Sequence, residues 1–540
     1  MNIGKKIAIC RARKGYSQER LAELLDISRQ SVSKWEMNQA QPNVDKLLPL
    51  CDLIGIKCES LLNDEIDIDE NPLKPQDGNK YFGTDGFRGE VGRILTAEHA
   101  FKVGRFLGWY FQSPLSGCKK IGYRPKIVIG KDTRRSSYTL EYALASGITA
   151  SGADAYMLHV ITTPGVAYVT RVDDFDCGIM ITASHNSFGD NGIKVLNCNG
   201  EKFDDASTSY IESYIDGDMN ALGIMDDDLP FAKKDKIGCI IDYVAGRNRY
   251  VGYLISVASH SYKNKKIALD CANGAGWMIA KSVFEALGAD VYMLGNDPQG
   301  LNINLDCGST HIEHLQKFVK EKKLDMGFAF DGDADRCIAV DDKGVVVDGD
   351  KILYVFAKRL QSRNMLDKNT VVITIMSNSG LMATFRKEGI DFEVTTVGDR
   401  FVYECMENNG YRLGGEQSGH IILRKYATTG DGILTSIMLT EEVCDTKLTL
   451  SELTKDVKLY PQKTVNVRVK DKRAVTENKR VQTVYKKIND EIGDNGRILL
   501  RESGTEPVIR VMCEFDDTEK MDKYITSLTD VIRSEGLCND

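Results

Sequence analysis

A serine that follows an apolar run is the first residue here whose type and position could do chemistry. Residues 178–181 have the pattern of a buried strand, and Ser184 and His185 follow them. A hydroxyl at the end of such a strand can carry a phosphoryl group, and the imidazole can hold the hydroxyl or its ester. Lys194 could return to the same site as a proton carrier if its neighbours depress its pKa. The alternative is a helix-capping serine beside a surface lysine.

Three aspartates at alternate positions form a second candidate site. Asp331, Asp333 and Asp335 lie between two apolar runs. Carboxylates on one strand-ending loop can converge on a hard cation, and oxygen ligands suit Mg²⁺. An EF-hand calcium loop is excluded because Arg336 stands at the sixth position, where that loop needs glycine. A solvated acidic turn is the alternative.

Two further loops offer groups that bind phosphate. Residues 83–89 place three glycines around Arg88, whose guanidinium can reach a phosphate, although an ordinary turn is the alternative. Residues 501–507 join two predicted strands and could clamp a phosphate that does not react. The groups predicted to do so belong to Arg501, Ser503, Gly504 and Thr505.

A glycine-rich string at residues 414–420 carries side chains suited to a sugar. Glu416, Ser418 and His420 can bind sugar hydroxyls or an amine, and the carboxylate of Glu416 could pair with a substrate ammonium. The alternative is a glycine-rich loop without a ligand.

These motifs need elements to position them, and from residue 80 onward strand-like and helical patterns alternate. Apolar runs at residues 127–129, 267–269 and 371–373 each precede a helical pattern, which is typical of βαβ units in parallel or mixed sheets. The last segment has separate strand and helix patterns that indicate an α+β domain.

The fold class predicted is α/β, with three similar mixed-sheet α/β domains and a C-terminal α+β domain around a central cleft. A small all-α helix-turn-helix bundle precedes them. The predicted boundaries are 1–63 for the bundle, 64–79 for an acidic linker, and 80–236, 237–336, 337–456 and 457–540 for the four following domains.

Length and composition restrict the class of protein. A chain of 540 residues is too long for one hydrophobic core. Apolar residues make up 42% and charged residues 27%, without a run of about 18 apolar residues or a secretory signal, so we expect a cytoplasmic protein and no membrane partner. Fourteen scattered cysteines lack zinc spacing and are expected to be reduced. A net charge of −8 argues against nucleic-acid binding by the whole surface.

The N-terminal end is locally basic, with eight lysines and arginines against three acidic residues in residues 1–35. Its pattern predicts two helices joined by a tight turn, with Ser17 and Ser28 as N-caps. Val32 and Trp35 should face inward. The side chains left outward, which could contact bases and phosphates, belong to Arg29, Gln30, Ser31, Ser33 and Lys34.

Residues 3–62 resemble the lambda-repressor-like (Xre-type) helix-turn-helix family, on the strings at residues 17–22 and 31–36. The resemblance implies DNA binding, and a homodimer that reads two half-sites. The alternative is a helical bundle used only for docking or dimerisation.

Residues 80–538 resemble the α-D-phosphohexomutase superfamily, and within it the phosphoglucosamine mutases. The strings that carry the resemblance are residues 83–89, 182–186, 331–336, 415–420 and 428–432. Gln417 separates the sugar loop from the phosphomannomutase/phosphoglucomutase branch, where methionine is expected.

The resemblance implies an isomerase that interconverts glucosamine 6-phosphate and glucosamine 1-phosphate through a phosphoserine and a sugar bisphosphate, for cell-wall precursor synthesis. By position it implies catalytic roles for Ser184, Lys194, Arg88 and His185, Mg²⁺ ligands at Asp331, Asp333, Asp335 and the Ser184 phosphate, and substrate contacts from Arg336, Glu416, Ser418, His420, Arg501, Ser503, Gly504 and Thr505.

Two positions depart from the superfamily pattern. Ser187 replaces a proline that commonly follows the His-Asn pair, and Glu502 brings a negative charge into the predicted phosphate clamp. The helix-turn-helix is a larger departure, because ordinary members lack it. Two alternatives therefore remain: a transcription regulator whose mutase body senses a sugar phosphate, and a mutase acting on glucose or mannose phosphates.

Overall fold

The computed structural model describes residues 3–13, 16, 18–54, 56, 58–62, 80–83, 85–116, 122–493, 496–502 and 508–538. The predicted cap Ser17, the linker 64–79 and the clamp residues Ser503, Gly504 and Thr505 lie outside them. The chain divides into two compact units. The first holds residues 1–250 and 298–303, and the second holds residues 251–297 and 304–540.

Helices alone make up the N-terminal region in the part of the chain that the structure describes. They are α1 (Ile3–Arg13), α2 (Gln18–Leu25), α3 (Arg29–Glu36), α4 (Val44–Ile54) and α5 (Cys58–Leu62). Their apolar faces form one core, in which Val32 and Trp35 of α3 are buried as predicted. Ser28 caps α3, because its hydroxyl accepts a 3.2 Å hydrogen bond from the N–H of Ser31.

The rest of the first unit is built on a seven-stranded mixed sheet of order β1-β2-β6-β5-β3-β4-β7. Its strands are β1 (Phe82–Gly83), β2 (Gly86–Glu90), β3 (Lys126–Lys131), β4 (Asp154–Val160), β5 (Cys177–Ile181), β6 (Asp190–Asn197) and β7 (Ile240–Asp242). The accompanying helices are α6 (Ala97–Tyr110), α7 (Ser137–Ala150), α8 (Thr163–Val172) and α9 (Asp205–Ile215), and α10 (Val244–Val257) begins in this unit and ends in the second. All five residues of β5 are buried, as expected for a strand inside a sheet that is covered on both faces.

The second unit begins with a five-stranded sheet of order β12-β11-β10-β8-β9. Strands β8, β9 and β10 are parallel, and β11 and β12 continue the sheet in antiparallel pairing. The elements are β8 (Lys266–Asp270), α11 (Trp277–Ala286), β9 (Asp290–Leu294), α12 (Glu313–Lys322), β10 (Met326–Phe330), β11 (Cys337–Val340) and β12 (Val346–Val347).

A four-stranded mixed sheet of order β14-β13-β15-β16 follows. Its elements are α13 (Gly349–Ser362), β13 (Thr370–Thr374), α14 (Ser379–Lys387), β14 (Asp391–Thr395), α15 (Asp399–Asn409), β15 (Leu413–Gly415), β16 (Ile421–Leu423), α16 (Gly432–Thr446) and α17 (Leu450–Leu453).

The C-terminal sheet is antiparallel, with order β17-β19-β18. Its elements are β17 (Gln462–Arg468), α18 (Lys472–Thr476), α19 (Lys479–Ile492), β18 (Gly496–Glu502), β19 (Val508–Phe515) and α20 (Thr518–Ser534).

The predicted fold class is confirmed as three mixed α/β sheets, an α+β end and a helical N-terminus. Two predicted boundaries fall inside sheets. Strand β7 lies beyond 236 but pairs with β4 of the first sheet, and β11 lies beyond 336 but pairs with β10 of the second. Among the described residues, none of the helices has the length and apolar content needed to cross a membrane.

Candidate active site

Ser184 lies in a tight turn just after β5, and its conformation is unusual for a serine. Its φ is +50°, in the left-handed region that L-residues other than glycine, asparagine and aspartate rarely adopt. The side chain is 1% exposed, and its Oγ lies 3.4 Å from Nδ1 of His185. No helix begins at this turn within the continuously described residues 122–493, so the helix-cap interpretation is wrong.

Strand register places Arg88 and Lys194 on one face of the sheet beside this turn. Arg88 of β2 lies opposite Gly192 of β6, and Lys194 stands two residues further along β6. Residues at alternate positions share a face, as do residues directly opposite each other. A Cβ at Gly192 would lie 2.4 Å from the carbonyl oxygen of Thr182 and 3.0 Å from Cγ of Arg88, so a glycine is needed there.

The charges on this face are buried or paired. Lys194 is 4% exposed and is not a surface lysine. The guanidinium of Arg88 lies 3.4 Å from the carboxylate of Asp85, which also pairs with Lys202 at 3.2 Å. Register thus puts Arg88 and Lys194 on one face of the β2-β6-β5 strands, and the N–H of Thr182, two residues before Ser184, donates to the carbonyl of Gly192 on β6 at 3.0 Å.

The aspartate loop is the turn of the β10–β11 hairpin. Phe330 pairs with Cys337, so the six residues between them close the hairpin. The carboxylate oxygens of Asp331, Asp333 and Asp335 lie within 4.8 Å of one another, and all three side chains are buried. The solvated-turn interpretation is therefore wrong. A buried cluster of hard oxygen donors at this separation fits a small divalent cation such as Mg²⁺.

Glu416 stands where β15 ends, and two neighbours orient its carboxylate. The backbone N–H of Gly398 donates to Oε1 at 2.9 Å, and the hydroxyl of Ser418 approaches Oε2 at 3.4 Å. Glu416 is only half-buried, so the carboxylate can also meet a ligand. The amide of Gln417 instead points to Asp348, at 3.5 Å from Oδ2.

The sugar loop and the aspartate loop are joined directly. The N–H of Cys337 donates to the carbonyl of Gly419 at 3.0 Å. Nδ1 of His420 lies 3.7 Å from the carboxylate of Asp335, so the two predicted groups of residues are neighbours within the second unit. Arg336 also approaches Asp335, at 4.0 Å.

The protonation of His420 is decided by opposing influences. Burial lowers the pKa of the imidazole, whereas Asp335, Asp399 and Glu416 raise it, with a net value of about 9. However, the N–H of Gly430 donates to Nε2 at 2.9 Å, which requires that nitrogen to be unprotonated. A directed backbone donor is the firmer constraint, and we assign the ring as neutral with its proton on Nδ1, facing Asp335.

The C-terminal clamp is described only at its edges. Arg501 is the last but one residue of β18 and lies opposite Arg510 of β19, so one arginine from each strand stands near this end of the sheet. The carboxylate of Glu502, which would repel a phosphate, accepts a 3.3 Å hydrogen bond from the hydroxyl of Thr476.

Sequence reasoning did not identify Gly398 or Arg510. The glycine has φ +130° at the strand-to-helix connection before α15, which makes Val397-Gly398-Asp399 a signal that could have been used. Arg510 could have been found as the cross-strand partner of Arg501 if the two predicted strands were paired as a hairpin.

The predicted recognition helix α3 presents a polar face. Arg29, Gln30 and Lys34 are exposed, and Ser31 and Ser33 are half-buried. Arg29 pairs with Glu19 at 2.7 Å, and the Ser31 hydroxyl lies 2.9 Å from that of Ser28.

Family models match the chain in five consecutive regions. Residues 79–221, 248–344 and 348–460 match the phosphoglucomutase/phosphomannomutase α/β/α domains I, II and III, and residues 465–531 match the C-terminal domain of the same family. Residues 7–61 match a helix-turn-helix model.

Two relatives and two solved structures illustrate the similarity. A phosphoglucosamine mutase of Lachnospira eligens is 54% identical over 457 residues, covering 85% of this chain and 99% of the relative. One from Streptococcus pneumoniae (strain Hungary19A-6) is 46% identical, covering 84% and 99%. A Burkholderia thailandensis phosphoglucomutase/phosphomannomutase family protein has TM-score 0.68 at 23% identity, covering 84% and 97%. Aspergillus fumigatus N-acetylphosphoglucosamine mutase, in complex with GlcNAc-6P and magnesium, has TM-score 0.60 at 17% identity, covering 85% and 96%.

Proposed function

Because the chain belongs to the phosphoglucomutase/phosphomannomutase family, and within it to the phosphoglucosamine mutases, we propose that it interconverts glucosamine 6-phosphate and glucosamine 1-phosphate. The observation that carries this proposal is the Ser184 turn. Its serine has a left-handed conformation at the end of β5, in the sheet whose strands β2 and β6 carry Arg88 and Lys194, and the chain is 54% identical to a phosphoglucosamine mutase.

Ser184 carries the phosphoryl group in this proposal. The phosphoserine gives its phosphoryl group to the free hydroxyl of the sugar phosphate, and the serine–phosphate bond breaks as the sugar bisphosphate forms. The other phosphate then returns to Ser184 and releases the isomeric sugar phosphate. Lys194, in its neutral form and assisted by Arg88, takes the proton from the attacking hydroxyl and passes it to the departing oxygen, while His185 stabilises charge on the transferring group.

The aspartate loop would hold Mg²⁺ through Asp331, Asp333 and Asp335. When bound, the cation supplies positive charge that neutralises the phosphoryl oxygens. Support for this assignment comes from the convergence of three buried carboxylates in a single hairpin turn.

The remaining predicted residues would bind the sugar and its other phosphate. The carboxylate of Glu416, oriented by the N–H of Gly398, accepts hydrogen bonds from the ammonium of the glucosamine. The hydroxyls of the sugar contact Arg336, Ser418 and His420. The non-reacting phosphate is held by Arg501, Ser503, Gly504 and Thr505.

Replacement of the serine tests the proposal directly. Ser184→Ala should abolish turnover of glucosamine 6-phosphate and phosphate incorporation into the protein. Ser187→Ala, in the same loop, is the matched control and should stay active because its exposed hydroxyl has no role in transfer. Equal activity of Ser184→Ala and wild type would refute phosphoserine chemistry.

Substrate choice is tested with three sugars. Wild type should prefer glucosamine 6-phosphate to glucose 6-phosphate and mannose 6-phosphate at equal concentration. Glu416→Gln should reduce kcat/KM for the amino sugar more than for glucose 6-phosphate, because only the amino sugar carries the ammonium. An equal reduction for both would leave no role for that ion pair.

The N-terminal domain supports a second function, which is DNA binding through α3. Three exposed side chains, Arg29, Gln30 and Lys34, lie on the outer face of α3. Arg29 is paired with Glu19, but exposed pairs are weak, so a phosphate can replace the carboxylate. A homodimer would present two such helices to two half-sites.

A titration of fluorescent duplex DNA across salt concentrations tests this function. Affinity should fall steeply with salt, and the double substitution Arg29→Ala, Lys34→Ala should reduce the salt slope by about one for every phosphate that the variant no longer binds. Arg533→Ala, on α20, removes a similar surface charge and should change neither. If the protein binds duplex DNA no better than a protein without DNA affinity, the DNA-binding function is refuted and the helical bundle serves only for docking or dimerisation.

A further inference from the structure

Arg134 is a fully buried arginine whose guanidinium fastens the Ser184 turn. One terminal nitrogen, Nη2, donates to the carbonyl oxygens of Ser184 at 3.0 Å and Asn186 at 2.9 Å. The other, Nη1, donates to the carbonyl of Ser187. One side chain therefore binds three of the four carbonyls from residue 184 to residue 187.

A buried carboxylate orders this guanidinium from behind. Nε of Arg134 donates to Oδ2 of Asp132 at 2.9 Å, and both side chains are 0% exposed. The hydroxyl of Thr182 donates to the same Oδ2 at 2.7 Å and accepts from the N–H of Ser184 at 2.9 Å. The network thus reaches the serine through both its backbone N–H and its carbonyl.

The turn needs such restraint because its conformation is costly. A non-glycine residue in the left-handed region is strained and persists only where its surroundings over-determine it. Proline could stiffen the loop at position 187, but this chain has serine there. The bond from Arg134 to the Ser187 carbonyl fixes the backbone at that position.

We infer that Arg134 is the positioning residue of the phosphoryl-transfer reaction. It holds the Ser184 hydroxyl at the angle of attack through the turn's backbone carbonyls, without touching the sugar phosphate. The inference rests on the proposed phosphoserine function. A lysine could keep the charge beside Asp132, but a single ammonium cannot reproduce the planar fork that spans these acceptors.

The experiment compares Arg134→Lys with Arg105→Lys in the full chain. Arg105 is also 0% exposed and also donates to backbone carbonyls, those of Leu229 and Pro230, and in addition to the hydroxyl of Ser151. It controls for the loss of a buried guanidinium in the same unit. The measurements are thermal unfolding, kcat and KM for glucosamine 6-phosphate, and the rate at which glucose 1,6-bisphosphate phosphorylates the protein.

Both substitutions should lower the unfolding temperature, but only Arg134→Lys should lower kcat and the phosphorylation rate, by about 100-fold and with KM unchanged. In Arg134→Ala, millimolar guanidinium should restore part of kcat and methylammonium should not. If Arg134→Lys loses no more kcat per folded molecule than Arg105→Lys, the positioning role is overturned while the mutase function stands. If wild type itself neither turns over substrate nor accepts phosphate, the proposed function fails and the inference fails with it.

Discussion

The carboxyl group of Asp350 lies buried in the first turn of α13, where Oδ2 accepts a 2.6 Å hydrogen bond from the backbone N–H of Asn378. Burial, and the nearby charge of Asp348, raise the pKa of Asp350 to about 8. The carboxyl group is therefore mostly protonated at neutral pH, because burial disfavours its charged form.

A definite dependence of stability on pH follows at this residue. Since the folded pKa exceeds the unfolded value near 4, the folded state binds the proton more tightly, and stability is lost as pH rises from about 4 to about 8. Asp350→Asn removes the titrating group. The free energy of unfolding of the variant, relative to that of wild type, should therefore rise by up to about 1.4 kcal/mol for each pH unit in that window. Urea unfolding at pH 5, 7 and 9 measures the gain.

A carboxylate with the opposite shift provides the control. The hydrogen bond from Lys358 lowers the pKa of Glu388, so this pair stabilises the fold above the unfolded pKa and the contribution is lost as pH falls. Glu388→Gln should therefore be slightly destabilising at pH 7 and neutral in acid. If the difference in free energy of unfolding between Asp350→Asn and wild type were the same at pH 5, 7 and 9, the raised pKa of Asp350 would be contradicted.

At the scale of elements, the sugar loop and the aspartate loop are held together by a close backbone approach. Gly419 has φ +92°, and a Cβ there would lie 2.3 Å from the carbonyl oxygen of Cys337, the first residue of β11. The loops that carry Glu416 and Asp335 cannot keep this spacing with a larger residue at position 419.

Gly419→Ala should consequently destabilise the second unit by about 2 to 4 kcal/mol and reduce mutase activity, because the substitution adds a clash to an unfavourable φ. Gly410→Ala is a matched control. That glycine has φ +77° but no atom within 4 Å of its Cβ position, so it should cost only about 1 kcal/mol, with activity retained. Urea unfolding with parallel kcat/KM measurements would separate the two, and equal effects would exclude the contact.

At the scale of the whole molecule, the regions that match the mutase family follow a helical N-terminal domain. The Lachnospira eligens enzyme is covered over 99% of its length by 85% of this chain, and the mutase family models begin at residue 79. The four matched regions therefore contain the parts from which such an enzyme is built.

Removal of residues 1–79 should leave kcat/KM for glucosamine 6-phosphate unchanged and abolish salt-dependent DNA binding. Val32→Asp in the full chain is the companion variant, because it places a charge in the core of the helical domain and should have the same two effects. A large loss of turnover in both variants would show that the N-terminal domain contributes to catalysis.

Much of the candidate site could be read from the sequence because its groups are close along the chain. The three aspartates lie within five consecutive residues of one turn, so their convergence needs little more than a hairpin. Ser184 was identifiable because an apolar run predicts the buried strand that presents it. The helix-turn-helix could also be recognised from local signals, namely an N-cap serine and inward residues at helical spacing.

The tertiary structure alone decided what holds these groups in place. Arg134 is 50 residues from Ser184, and its acceptors are backbone carbonyls, which every sequence contains and which no side-chain pattern marks. Strand pairing likewise assigned β7 and β11 to sheets across the predicted boundaries, since pairing is a long-range contact that local propensity does not encode. The types of reacting groups were thus determined locally by the sequence, whereas their orientation and burial depended on distant segments packing together.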